Sequence, residues 1–131
     1  MTTVRADWDD DTHQIIRYVF EPHWDWDDFF AAVREARALM DSAPGNVGVI
    51  FDASDTPNIN VPQNALTNFR NALNRSHEKN KLMVVVLSST FARIVISSVQ
   101  KLGGERAHLL KFAPTVDEAR QMIVDHLNGS D

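Results

Sequence analysis

Apolar and polar positions alternate in two runs near the start of the chain, Val4 to Trp8 and His13 to Phe20. Asp9, Asp10, Asp11 and Thr12 lie between them. Period-two patterning around a tight acidic connection predicts a β-hairpin. In the second run Ile16, Tyr18 and Phe20 alternate with Ile15, Arg17 and Val19, so neither face is cleanly polar, as in a strand covered on both sides. The period then lengthens. Trp26, Phe29, Phe30, Val33, Ala36 and Met40 recur at helical spacing behind an N-cap at Asp25. Asp27 and Asp28 suit the positive end of the helix dipole, and together these positions predict a helix over 26–41. Pro44, Gly45 and Asn46 break it.

Val47 to Ala53 is a nearly continuous apolar run, suited to a central parallel strand. A polar loop follows, then an amphipathic helix starting at Pro62 or Gln63, predicted over 63–77 with Leu66, Phe69, Ala72 and Leu73 as its stripe. His77 to Asn80 is a polar break before the strand 82–87. Ser88, Ser89 and Thr90 cap a further helix over 91–102, stopped by Gly103 and Gly104. Arg106 to Phe112 reads as the last strand. Thr115 and Glu118 form a capping box for a helix over 115–127 that carries Val116, Ala119, Ile123 and Leu127 inward.

The predicted order is ββαβαβαβα. Strand–helix alternation demands right-handed crossovers, so the expectation is an α/β fold: a mostly parallel sheet with an N-terminal β-hairpin and four helices. Strand 47–53 is expected between strands 82–87 and 13–20. No linker or repeat divides residues 1–131, and 131 residues suffice for one core.

Composition narrows the function classes. Zero cysteines remove disulfides, thiolate metal sites and cysteine nucleophiles. A net charge of −5 argues against general nucleic-acid binding, which depends on neutralising phosphates. The first residues lack the basic and apolar regions of a secretory signal, and the apolar run 82–87 is too short to span a bilayer, so a cytoplasmic protein without a membrane span is expected. Ten of the 18 acids lie in residues 1–41 and eight of the 13 Lys and Arg residues in 70–111. That asymmetry reads either as two differently solvated faces or as a polar surface steering a partner.

Glycine-rich phosphate loops and nucleophile elbows are missing, and the five histidines form no zinc spacing. Asp52 and Asp55 at a strand end could act as an acid/base pair, but such an Asp more often accepts backbone N–H bonds and shapes its loop. His23, Asp25, Asp27 and Asp28 could hold a hard cation, but lack the glycine and distal glutamate of a calcium loop. Neither an enzyme nor a bound cofactor is expected.

The segment GVIFDASDTPNINVPQNALTNFRN, from Gly48 to Asn71, resembles the centre of the STAS family, the domain of anti-sigma-factor antagonists and sulphate-transporter tails. The order of Leu102-Gly103-Gly104 and Thr115 to Ala119 is similar to the family's C-terminal half. The resemblance implies a non-catalytic regulatory domain in bacterial signalling, docking an anti-sigma-factor-like kinase or a signalling complex through the helix start after the third strand. It also implies a phosphorylatable Asp-Ser-Ser-Gly there. Laid on from Asp52, the family's Asp falls on Asn60, its acceptor Ser on Val61 and the Ser-Gly pair on Pro62 and Gln63, so the serine switch is missing. The expected partner-binding residues are Ser54, Asp55, Thr56, Asn58, Ile59, Asn60, Val61, Gln63 and Asn64, because loops carried by a rigid sheet concentrate binding residues. A homodimer stays open. The alternative is a small-molecule module for an apolar or nucleotide-like ligand, with Trp24, Trp26, Phe29 and Phe30 lining a groove. Trp24 is expected either to staple against Phe29 or to lie partly exposed.

Overall fold

The computed structural model describes residues 2–53, 63–87, 94, 97, 98, 100, 101 and 106–129. Five strands form one sheet in chain order: β1 (Val4–Trp8), β2 (Ile15–Phe20), β3 (Val47–Asp52), β4 (Asn80–Val86) and β5 (Leu110–Ala113). β1 runs antiparallel to β2, and β2 through β5 are mutually parallel, with β3 between β2 and β4. Because each parallel step goes the same way along the sheet, right-handed crossovers place their helices on one face. That face carries α1 (Trp26–Asp41) and α2 (Ala65–Asn74), and residues 94, 97, 98, 100 and 101 are helical. The last helix, α3 (Val116–Leu127), packs on the opposite face. No helix among the described residues is long and apolar enough to cross a membrane.

The strand pleat sorts the core in two. Ile16, Tyr18, Val49, Met83 and Val85 face α1 and α2. Ile15, Ile50, Leu82, Val84 and Val86 face α3, where Ile123 is completely buried. Gly48 is what lets α3 approach: a Cβ there would lie 2.3 Å from Ile123 Cγ2.

Helix ends are stabilised by a mixture of local caps and distant cations. The Asp28 N–H donates to Asp25 Oδ1 at 2.8 Å, and the Glu118 N–H donates to Thr115 Oγ1 at 3.1 Å, so both expected N-caps are made. Neither α1 nor α2 has a basic residue in its last turn. Lys79 instead donates from Nζ to the Met40 and Ala43 carbonyls at 3.0 Å, and Arg37 donates from Nη1 to the Arg75 carbonyl. These cations meet the negative ends of helices that lack their own. Arg106 donates to Ser76 Oγ and to the His77 and Asn80 carbonyls. Part of the positive charge in 70–111 is thus spent inside the fold.

Three sequence expectations are corrected at their edges. The strand expected over 106–112 begins only at Leu110, because Arg106 is held by the loop before β4 and Ala107–Leu109 closes a 3₁₀ turn. α2 starts at Ala65 and not at Pro62 or Gln63, since Asn64 takes a left-handed conformation, φ 66°. It ends at Asn74 and not at 77, with Ser76 Oγ donating to the Leu73 carbonyl at 2.8 Å. Likewise His13, at φ 55°, belongs to the connection before β2 and stacks on Trp8 with ring centroids 4.6 Å apart.

Candidate functional site

An apolar cavity of about 100 Å³ lies between the sheet and the two helices α1 and α2. Its construction follows from periodicity. Tyr18 and Phe20 on β2, Val49 and Phe51 on β3, and Met83 and Val85 on β4 share one face of the pleat. From α1 come Phe29, Val33, Ala36 and Met40 along one helical stripe, and from α2 Phe69, Ala72 and Leu73. Ala36 and Ala72 are the small members of those stripes, and they border the void. Aromatic rings crowd one end. Trp24 meets Phe20 edge-on at 5.1 Å, Trp26 at 4.7 Å and Phe69 at 6.1 Å. Polar groups gather at the other end, in Ser76, His77 and Asn80, with Arg37 reaching the wall there.

Most of these polar groups are already committed. The Lys79 N–H donates to His77 Nδ1 at 3.1 Å, which leaves Nε2 to donate to Asp41 Oδ1 at 2.7 Å. Two polar atoms stand apart: Trp24 Nε1 and Asn80 Oδ1 are buried and have no hydrogen-bond partner among the described residues. Each such atom costs roughly 1–3 kcal/mol.

Burial pushes the Tyr18 phenol well above its ordinary pKa, an effect that the charge of Arg37 opposes. The unfolded chain ionises this phenol near pH 10 and the folded chain does not, so its contribution is fully present below that pH and is lost as pH rises beyond it. Tyr18 is the single tyrosine of the chain, so phenolate absorbance reports on it alone. In an alkaline titration, phenolate is expected to appear only together with unfolding followed by circular dichroism. Ionisation near pH 10 with the fold intact would contradict the burial.

Of the residues expected to bind a ligand, Trp24 and Phe29 stand on the cavity wall, while Trp26 and Phe30 pack against the surrounding core. Trp24 is buried, not partly exposed. Of the expected partner-binding residues, Ser54, Asp55, Thr56, Asn58, Ile59, Asn60 and Val61 lie outside the described residues. Gln63 and Asn64 are exposed, and the Trp26 indole N–H donates to the Gln63 carbonyl at 2.7 Å, so the two candidate regions meet there. Tyr18, Phe51, Ala72 and Asn80 were not singled out as site residues from the sequence. Strand parity and the alanines on the two stripes were the available signals for the first three; nothing marked Asn80.

Asp52 is on the other face of the sheet. Arg17 donates to its Oδ2 from Nε at 2.8 Å, and Arg120 holds Asp9 from Nε at 2.7 Å and from Nη2 at 3.0 Å. The side chains of Asp9 and Asp52 are each 2% exposed, so this chain of charges ties the hairpin to α3. In the acidic segment after β2, Asp25 caps α1 and Asp28 accepts from the Thr3 N–H at 2.8 Å and the Thr3 hydroxyl at 2.7 Å, which hold its carboxyl below the usual range. Among the described residues no three His, Asp or Glu side chains converge to hold a metal ion.

Comparison with family models, with curated proteins and with solved structures gives no match for this chain.

Proposed function

We propose that this protein is a non-catalytic binding module whose ligand is a small, mainly apolar molecule held between the sheet and helices α1 and α2. The cavity supports this reading. Native interiors rarely keep voids larger than a water molecule. Here side chains leave about 100 Å³ unfilled between the sheet and the two helices. Larger residues at Ala36 or Ala72 would fill it. Its size suits a single ring or a short chain, below the ~300–1,000 Å³ of drug-sized pockets.

Ala72→Leu tests the reading. The variant is expected to match or exceed the parent's melting temperature, because the added methylenes enter the void, and to lose the stabilisation that saturating benzene gives the parent. At a hundredfold excess over Kd that stabilisation is about 2.7 kcal/mol, several degrees for a chain of this length. Equal benzene shifts for both proteins would remove the cavity from consideration.

A STAS-like regulatory role, docking a protein partner at residues 54–67, has one observation in its favour. Gln63, Asn64 and Thr67 are exposed at the start of α2, where Asn64 makes no side-chain cap. Native mass spectrometry of the protein as purified separates the two roles. A retained small mass favours the cavity, and a retained protein favours the loop.

A further inference from the structure

The walls of the cavity hide a directional requirement. Trp24 is 5% exposed, and its Nε1 has no hydrogen-bond partner among the described residues. An indole N–H can only donate, and the rings of Phe20, Trp26 and Phe69 around it offer no oxygen. Asn80 is 3% exposed, and its Oδ1 is likewise without a partner among the described residues. The two sit at opposite ends. Trp24 touches Phe20, just past the level where Val19 pairs with Asp52, whereas Asn80 pairs with Val47 at the start of β3. At about 3.3 Å per residue those levels are on the order of 15–20 Å apart, too far for one ligand of this volume to reach both.

Trp24 sets the chemistry, because its polarity is fixed while an amide can present either atom. Building on the proposed ligand-binding role, we infer that the ligand carries a neutral hydrogen-bond acceptor, a carbonyl or ether oxygen, which takes the Trp24 Nε1–H. The rest of the molecule is hydrocarbon, about six heavy atoms or fewer in all, since a cavity of ~150 Å³ holds benzene. A carboxylate is the less suitable head. The cation on the wall, Arg37, reaches it from the Asn80 end, where its Nη1 already donates to the Arg75 carbonyl. An anion placed there would leave Trp24 unpaired.

Cyclopentanone and methylenecyclopentane have the same shape and differ in whether the exocyclic atom accepts a hydrogen bond. Each is titrated into the whole protein while the three indole N–H signals, from Trp8, Trp24 and Trp26, are followed by NMR. Trp24→Phe assigns the Trp24 signal. Cyclopentanone is expected to move the Trp24 proton downfield while methylenecyclopentane does not. In Trp24→Phe the affinity ratio of ketone to hydrocarbon is expected to fall about tenfold, the worth of one hydrogen bond inside an apolar site. The void that the variant opens affects both probes alike and cancels in the ratio. If the variant does not fold, the parent's downfield shift still decides, with the signal assigned by sequential NMR.

Binding of both probes with no Trp24 shift, or with a ratio unchanged in Trp24→Phe, would overturn the acceptor assignment and leave the apolar-ligand reading standing. Pentanoate bound more tightly than cyclopentanone, and weakened by Arg37→Met, would overturn it in favour of an anionic head. Failure of both probes to bind would overturn the ligand-binding role itself.

Discussion

Gly48→Ala is expected to destabilise the fold by about 2–3 kcal/mol, and most of that loss should disappear when Ile123 is shortened to alanine in the same chain. The added Cβ falls 2.3 Å from Ile123 Cγ2 and 2.8 Å from Cγ1. Ile123 cannot swing away, because it is completely buried among Ile50, Leu82 and Val84. Either the helix lifts from the sheet or the strand bends, and both forfeit contacts along α3. Ile123→Ala alone should cost about 2–5 kcal/mol for the hole it leaves. Combined, the two changes refill that hole with the new methyl, so the double variant should be more stable than the sum of the single costs by over 1 kcal/mol. Urea unfolding of the four proteins measures this directly. A Gly48→Ala variant as stable as the parent, or strictly additive costs, would mean that α3 does not pack as described.

Phe29→Ala should cost about 4 kcal/mol, and part of that loss should be recoverable with benzene. Phe29 is 1% exposed and lies within ring contact of Tyr18, Phe20, Trp24, Trp26, Phe30, Phe51 and Phe69. It is the α1 residue on which the aromatic end of the core converges, and it forms part of the cavity wall. Its removal joins a ring-sized hole to a void that already exists. Added benzene should therefore stabilise the variant more than the parent, read as a larger rise in melting temperature at equal concentration. A variant that loses stability without any gain from benzene would show that the surrounding rings collapse into the space.

Much of this architecture was legible from periodicity and caps. The α1 stripe and the Asp25 cap fixed that helix at both ends, and the apolar run after Asn46 placed β3 in the centre of the sheet. Errors fell where distant residues override local preference. Nothing local at Arg106 announces that its side chain will pin the loop before β4 and delay β5 to Leu110. Asn64 reads as an ordinary early helical residue until its left-handed backbone postpones α2. The cavity was less legible still. It is a deficit of volume shared among three strands and two helices, and an alanine at 36 or 72 does not say by itself whether its neighbours close over it. Trp24 shows the same limit in milder form: its position before a cap left open a staple against Phe29 or partial exposure, and the rings of Phe20, Trp26, Phe29 and Phe69 decide for burial.

The placement of α3 has a consequence for biosynthesis. The α1–α2 side of the sheet can begin to be covered while the chain is still being made, since those helices are translated between the strands they shield. The reverse side waits for α3, which follows all five strands in the chain. Until Val116–Leu127 has emerged, Ile15, Ile50, Leu82, Val84 and Val86 form an uncovered apolar band across three adjacent strands. Arg120, which ties Asp9 to this helix, arrives equally late. A polypeptide that stopped before Val116 would thus carry one covered side and one adhesive side, a strong substrate for chaperones and for self-association.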